Sequence, residues 1–92
     1  MLALAACATT PPVQEMSDAR QALRAAEAVG AAQRSPEPFL AARRLLQEAQ
    51  TQLEAGAYHN ARRHALDARA AAIQARERAT KSPSKSPLSP PP

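Results

Sequence analysis

Residues 46–68, LQEAQTQLEAGAYHNARRHALDA, contain two helical patterns separated by Gly56. On either side of this glycine, apolar residues recur every three or four positions, which places their side chains on one face of a helix. Glycine suits the left-handed conformation that ends a helix, and such a short connection joins antiparallel neighbours. The stretch therefore predicts a helical hairpin. The patterned residues are Leu46, Ala49 and Leu53 before the turn, and Tyr58, Ala61, Ala65, Ala68 and Ala72 after it.

A further helix is predicted on the N-terminal side of this hairpin. Residues from Met16 to Gly30 repeat at the same spacing, after Pro11-Pro12, which are natural at a helix start, and Gln33-Arg34 are expected at its fraying end. Ser35-Pro36 signals the start of the next helix, because Ser35 can cap it and Pro36 fits its first position. The fold class expected is all-α, a three-helix antiparallel hairpin array.

The composition supports helix and limits the core. Of the 92 residues, 24 are Ala, the best helix former, whereas only 2% are aromatic. A chain of this length forms one small domain, and few bulky side chains are present to fill it. We expect four segments: a signal-peptide remnant at residues 1–6, a lipidated cysteine and tether at 7–12, the helical domain at 13–79, and a disordered Ser/Pro/Lys tail at 80–92.

The single cysteine lies in a short motif near the N-terminus. Leu4-Ala5-Ala6-Cys7 resembles the lipobox of bacterial lipoproteins, in which small residues precede a cysteine whose sulfur accepts the lipid. The resemblance implies cleavage before Cys7 and a membrane anchor through its acyl chains. A secretory signal needs a basic region and a longer apolar stretch, so we expect the true start to lie upstream of Met1. Ala8 stands where an Asp would retain the protein at the inner membrane, which favours the periplasmic face of the outer membrane.

The surface charge favours an anionic partner, although a solvated helix surface explains the same residues. The net charge is +4, and the dibasic pairs Arg43-Arg44 and Arg62-Arg63 could form one face for peptidoglycan or another anionic envelope polymer. Some large apolar residues lie beside the main stripes, and we expect them to contact a protein partner or a second copy. These residues are Leu40, Leu45, Leu66 and Ile73.

The sequence carries no pattern typical of an enzyme, and we expect no catalysis and no cofactor. Gly30 and Gly56 are the only glycines, so no glycine-rich phosphate loop exists. His59 and His64 are five residues apart, which is not the four-residue spacing of a helical metal pair. We therefore expect no metal site and two exposed surface histidines.

Two family resemblances follow from these residues. The pattern from Leu46 through Gly56-x-Tyr58 to Ala68 is similar to one tetratricopeptide hairpin, in which small residues sit where two helices touch. Residues 4–79 as a whole resemble a family of short proteobacterial lipoproteins carrying domain of unknown function four-three-nine-eight. The shared features are the lipobox, the early helix, the proline before the second helix and the Ala-Gly-Ala-Tyr turn. The resemblance implies a periplasmic helical module of the cell envelope and no reaction.

One alternative function stays open at this point. A cytoplasmic basic protein that binds nucleic acid would also carry a net positive charge, and Ser82-Pro83-Ser84-Lys85 faintly resembles Ser-Pro basic repeats that contact DNA. With two lysines and no aromatic residue in the tail, the electrostatic attraction would be weak, so nucleic acid is the disfavoured partner.

Overall fold

A computed structural model of the chain describes residues 10–81. This range contains four helices and no strand: α1 (Val13–Ala28), α2 (Ala31–Arg34), α3 (Pro36–Glu54) and α4 (Tyr58–Lys81). The all-α prediction is therefore confirmed, and the three long helices are the three that the sequence predicts. Helix α4 continues to Lys81, two residues beyond the predicted domain end at 79. The predicted signal remnant, Cys7 and residues 82–92 lie outside the described residues.

Two buried clusters show how the long helices run relative to one another. Met16 of α1 packs with Ala49 of α3 and Ala65 of α4. The second cluster joins the end of α1 to the start of α3 and the end of α4. Helix α3 is therefore antiparallel to both α1 and α4, as predicted, and α4 contacts both other long helices. The second cluster consists of Ala26, Ala31, Phe39, Ala75 and Ala79.

The core consists almost entirely of alanine. Eleven of the thirteen buried hydrophobic residues are Ala, and Met16 and Phe39 are the two exceptions. All six buried residues of α4 are Ala. Because Ala side chains are short, they allow the helix backbones to approach closely, so close packing partly replaces the burial of bulky side chains.

The turn between α3 and α4 ends α3 as the sequence predicts. Gly56 has a φ of +82°, in the left-handed region. The N–H of Gly56 donates to the carbonyl of Leu53 at 3.0 Å, and the N–H of Ala57 donates to that of Gln52 at 2.8 Å. This pair of bonds is the Schellman arrangement, which satisfies carbonyls at the end of a helix.

The connection between α1 and α3 contains a helical turn that the sequence analysis does not predict. Gly30 has a φ of +76° and interrupts the helix, and α2 then makes a single turn over Ala31–Arg34. Ala31 is fully buried and belongs to the second core cluster. The turn therefore extends the core rather than acting as a polar linker.

Ser35 has a different role from the predicted one. It occupies the position before α3, but its side chain makes no capping hydrogen bond to that helix. Its hydroxyl instead donates to the backbone carbonyl of Ala75 in α4, at 2.6 Å. Ser35 is only 6% exposed, so this bond links two helices inside the protein. Pro36 does occupy the first turn of α3, as predicted.

Candidate functional site

Arg62 of α4 holds the chain where it enters the bundle, at Thr10 and Glu15. Its Nη2 donates to the backbone carbonyl of Thr10 at 3.1 Å. Its Nε lies 3.4 Å from Oε2 of Glu15, and both side chains are about one-third exposed, at 33% and 29%. A guanidinium holds several acceptors at once because its donors are fixed in one plane. Arg62 thus ties the first turn of α1, and Thr10 three residues ahead of that helix, to the first turns of α4.

His64 is half-buried and faces α3, contrary to the expectation that both histidines are exposed; only His59 is fully exposed. Its Nδ1 lies 2.7 Å from Oε1 of Gln52 and 3.1 Å from the carbonyl of Asn60. Nε2 lies 3.3 Å from Oε1 of Glu48. The tautomer of the ring decides which of its nitrogens donates to these neighbours.

The four large apolar residues predicted to lie beside the stripes differ in exposure. Leu40 is 57% exposed, Leu66 48% and Ile73 37%, whereas Leu45 is half-buried. Leu66 and Ile73 are seven residues apart on α4 and therefore share one side of that helix. Leu40 and Leu45 are five residues apart, which turns them about 140° from each other on α3. The four residues therefore do not form a single continuous surface.

The two dibasic pairs are not brought together into one face. Arg62 is engaged with Glu15 and Thr10 at the start of α1, while Arg63 is exposed. Arg43 and Arg44 are exposed on α3, nearer the middle of the bundle. Arg43 lines a shallow groove between α1 and α3, together with Arg20, Leu23, Leu46, Gln47 and Gln50.

A polar contact crosses this groove. Arg20 of α1 donates from Nη2 to Oε1 of Gln50 on α3, at 2.8 Å. Leu23 and Leu46 form the half-buried apolar part of the lining. The groove is open and has no enclosed cavity of the kind that binds a small molecule.

No group of three or more His, Cys, Asp or Glu side chains within residues 10–81 is placed to hold a metal ion. None of the described helices combines the length and apolar character needed to cross a membrane.

The contacts of Arg62 and His64 are not among the predictions from the sequence. Each joins residues far apart in the chain, such as Arg62 with Glu15, so spacing along one helix gives no sign of them. The sequence does place both side chains beside the buried alanine stripe of α4. Long polar residues at such positions reach the neighbouring helix.

Residues 10–81 form a small all-helical bundle with an open groove between α1 and α3. A family model, Domain of unknown function (DUF4398), matches residues 14–86, which is most of the chain. The chain belongs to this family, and the resemblance predicted from the sequence is confirmed in that respect. No curated protein and no solved structure matches the chain at a significant level.

Proposed function

We propose that this chain is a lipid-anchored helical module of the bacterial cell envelope, attached to the membrane through Cys7. The observation that carries the proposal is the lipobox-like motif Leu4-Ala5-Ala6-Cys7. The carbonyl of Thr10, three residues after Cys7, accepts a hydrogen bond from Arg62, so the bundle begins shortly after this motif. A diacylated or triacylated cysteine anchors a protein stably, so the helices need no membrane contact of their own.

The location proposed is the periplasmic face of the outer membrane. Ala8 follows Cys7, and the Asp that favours inner-membrane retention is not at that position. The helical domain then projects from the membrane surface and binds other envelope components. Exposed apolar residues, Leu40, Leu66 and Ile73, provide area for a protein partner or a second copy.

The module is proposed to act by binding rather than by catalysis. Its buried residues are mainly Ala, and Ser35, the buried polar residue among those described, is hydrogen-bonded to a backbone carbonyl. A catalytic group needs a sheltered pocket in which its reactivity is tuned. The open groove between α1 and α3 offers a surface for a macromolecule instead.

The proposal is tested by membrane fractionation. The chain is expressed with a functional lipoprotein signal placed ahead of Leu2, and the Cys7→Ser variant is compared with the unaltered protein. We expect the unaltered protein in the outer-membrane fraction and the variant in the soluble periplasmic fraction. Ser17→Ala, which leaves the motif intact, is the matched control. Identical fractionation of Cys7→Ser and the unaltered chain would exclude the lipid anchor.

A further inference from the structure

The charged side chains are distributed unequally along the bundle axis. We define the acidic end as residues 10–19 and 46–67, which surround the Met16 cluster. It holds five carboxylates and two arginines, a net charge of −3 with histidines neutral. We define the basic end as residues 20–45 and 68–81, which surround the Phe39 cluster. It holds nine cations and three carboxylates, a net charge of +6.

The cations of the basic end are available to an external partner, except that Arg20 already donates a hydrogen bond to Gln50. Within residues 10–81 Arg62 forms an ion pair with Glu15, and His64 lies 3.3 Å from Glu48; both contacts lie in the acidic end. None of the nine basic-end cations forms an ion pair in this part of the chain, and all nine are exposed. They are Arg20, Arg24, Arg34, Arg43, Arg44, Arg69, Arg76, Arg78 and Lys81.

The chain enters the bundle at the acidic end. Thr10 is hydrogen-bonded there by Arg62, and the three residues from Cys7 to Thr10 span at most ~10 Å. Helix α4 has 24 residues, which at ~1.5 Å each gives a length of about 36 Å. With the lipid on Cys7, the acidic end therefore lies near the membrane and the basic end is directed away from it.

We propose that the basic end binds an extended, carboxylate-bearing polymer of the cell wall; this inference rests on the proposed lipid anchor. Eight of the nine cations are arginines, whose planar guanidinium matches the geometry of a carboxylate. The cations are spread over all four helices, which suits a polymer with repeated charges rather than a small ion. The bundle thereby links the membrane at one end to the wall at the other.

The structure gives less support to nucleic acid as the partner at this end. Single-stranded nucleic acid is held by aromatic side chains that stack on its bases as well as by cations. Phe39 is the one aromatic residue of the basic end, and it is only 4% exposed. Tyr58 lies in the acidic end.

The test measures co-sedimentation of the full 92-residue chain, without lipid, with purified insoluble cell-wall sacculi. Two charge reversals on α4 provide a matched comparison: Arg78→Glu in the basic end and Arg63→Glu in the acidic end. Both side chains are exposed, and both variants have the same net charge. We expect Arg78→Glu to weaken binding about 5-fold, which corresponds to roughly 1 kcal/mol, and Arg63→Glu to change it less than 2-fold. Arg34→Glu, in a different helix of the basic end, should reproduce the loss.

Several outcomes would overturn the assignment. Equal losses in Arg78→Glu and Arg63→Glu would mean that net charge alone drives binding. Absence of sedimentation at low salt, or binding to duplex DNA or anionic vesicles as tight as that to sacculi, would also contradict it. Because the assay uses unlipidated protein, its result is independent of whether Cys7 is acylated. If Cys7→Ser leaves the fractionation unchanged but the protein binds sacculi, only the lipid anchor is refuted.

Discussion

The two ends of the bundle are held together by different interactions. At the basic end, Phe39 is buried among alanines, and the Ser35 hydroxyl bonds to a backbone carbonyl of α4. At the acidic end, Met16 is the large buried side chain, and partly exposed contacts of Arg62 and His64 surround it. Buried contacts resist salt, whereas exposed ion pairs are screened by it. The basic end should therefore be the more robust half of the fold.

The largest expected effect comes from Phe39→Ala, which removes the one aromatic side chain of the basic-end core. Phe39 is 4% exposed, and truncation of a buried Phe typically lowers the free energy of unfolding by about 3–5 kcal/mol. Urea denaturation followed by circular dichroism measures the change. Leu40→Ala is the control, because Leu40 is 57% exposed and should cost less than ~1 kcal/mol. Similar losses in the two variants would show that Phe39 does not organise this end.

Met16→Ala tests the corresponding position at the acidic end. Met16 is 1% exposed, so we expect a loss of about 2–3 kcal/mol, at the lower part of the range for buried methionine. Met16→Leu keeps the volume and should cost less than ~1.5 kcal/mol. A larger loss for Met16→Ala than for Phe39→Ala, measured by the same denaturation, would reverse the ranking of the two ends.

Ser35→Ala removes the buried hydrogen bond between the start of α3 and α4. The bond is 2.6 Å long and links residues 40 apart in the chain, so we expect a loss of about 1–2 kcal/mol in the free energy of unfolding. Thr80→Ala is the control, because its hydroxyl makes an exposed bond within α4 and should matter little. An unchanged urea midpoint of unfolding for Ser35→Ala would mean that the hydroxyl stabilises neither helix.

Glu15→Gln should have the smallest effect. It removes a partly exposed ion pair with Arg62, and such pairs contribute at most about 1 kcal/mol. The loss should shrink when unfolding is measured in 1 M salt, where the screening length falls to about 3 Å. Ser35→Ala should show no comparable salt dependence. If both variants respond equally to salt, the proposed difference between the two ends is wrong.

The sequence is sufficient to predict the helices but not their lateral contacts. Pro11-Pro12, Pro36 and Gly56 act locally on the backbone, so the beginnings of α1 and α3 and the end of α3 follow from residue type alone. Helix α2 is missed because four residues carry too little periodic signal. The bond of Ser35 to Ala75, and the pairing of Arg62 with Glu15, depend on how helices align with each other.

The unequal distribution of charge is hidden in the sequence for the same reason. Along the chain, acidic and basic residues alternate without a long run of either sign. They separate only when α3 reverses direction, which brings the start of α3 level with the end of α4 and Glu48 level with His64. The predicted basic face does not form, because the pair Arg43-Arg44 and the pair Arg62-Arg63 lie at different positions along the bundle axis.

Mass spectrometry of Cys7 tests the proposed lipid anchor most directly. The protein, expressed with a lipoprotein signal ahead of Leu2, is extracted from membranes with detergent and digested with trypsin. We predict an N-terminal peptide that begins at Cys7, ends at Arg20 and carries the mass of a diacylglycerol group plus an amide-linked acyl chain. A peptide that retains Ala6 before Cys7, or that begins at Cys7 with an unmodified thiol, would contradict the anchor.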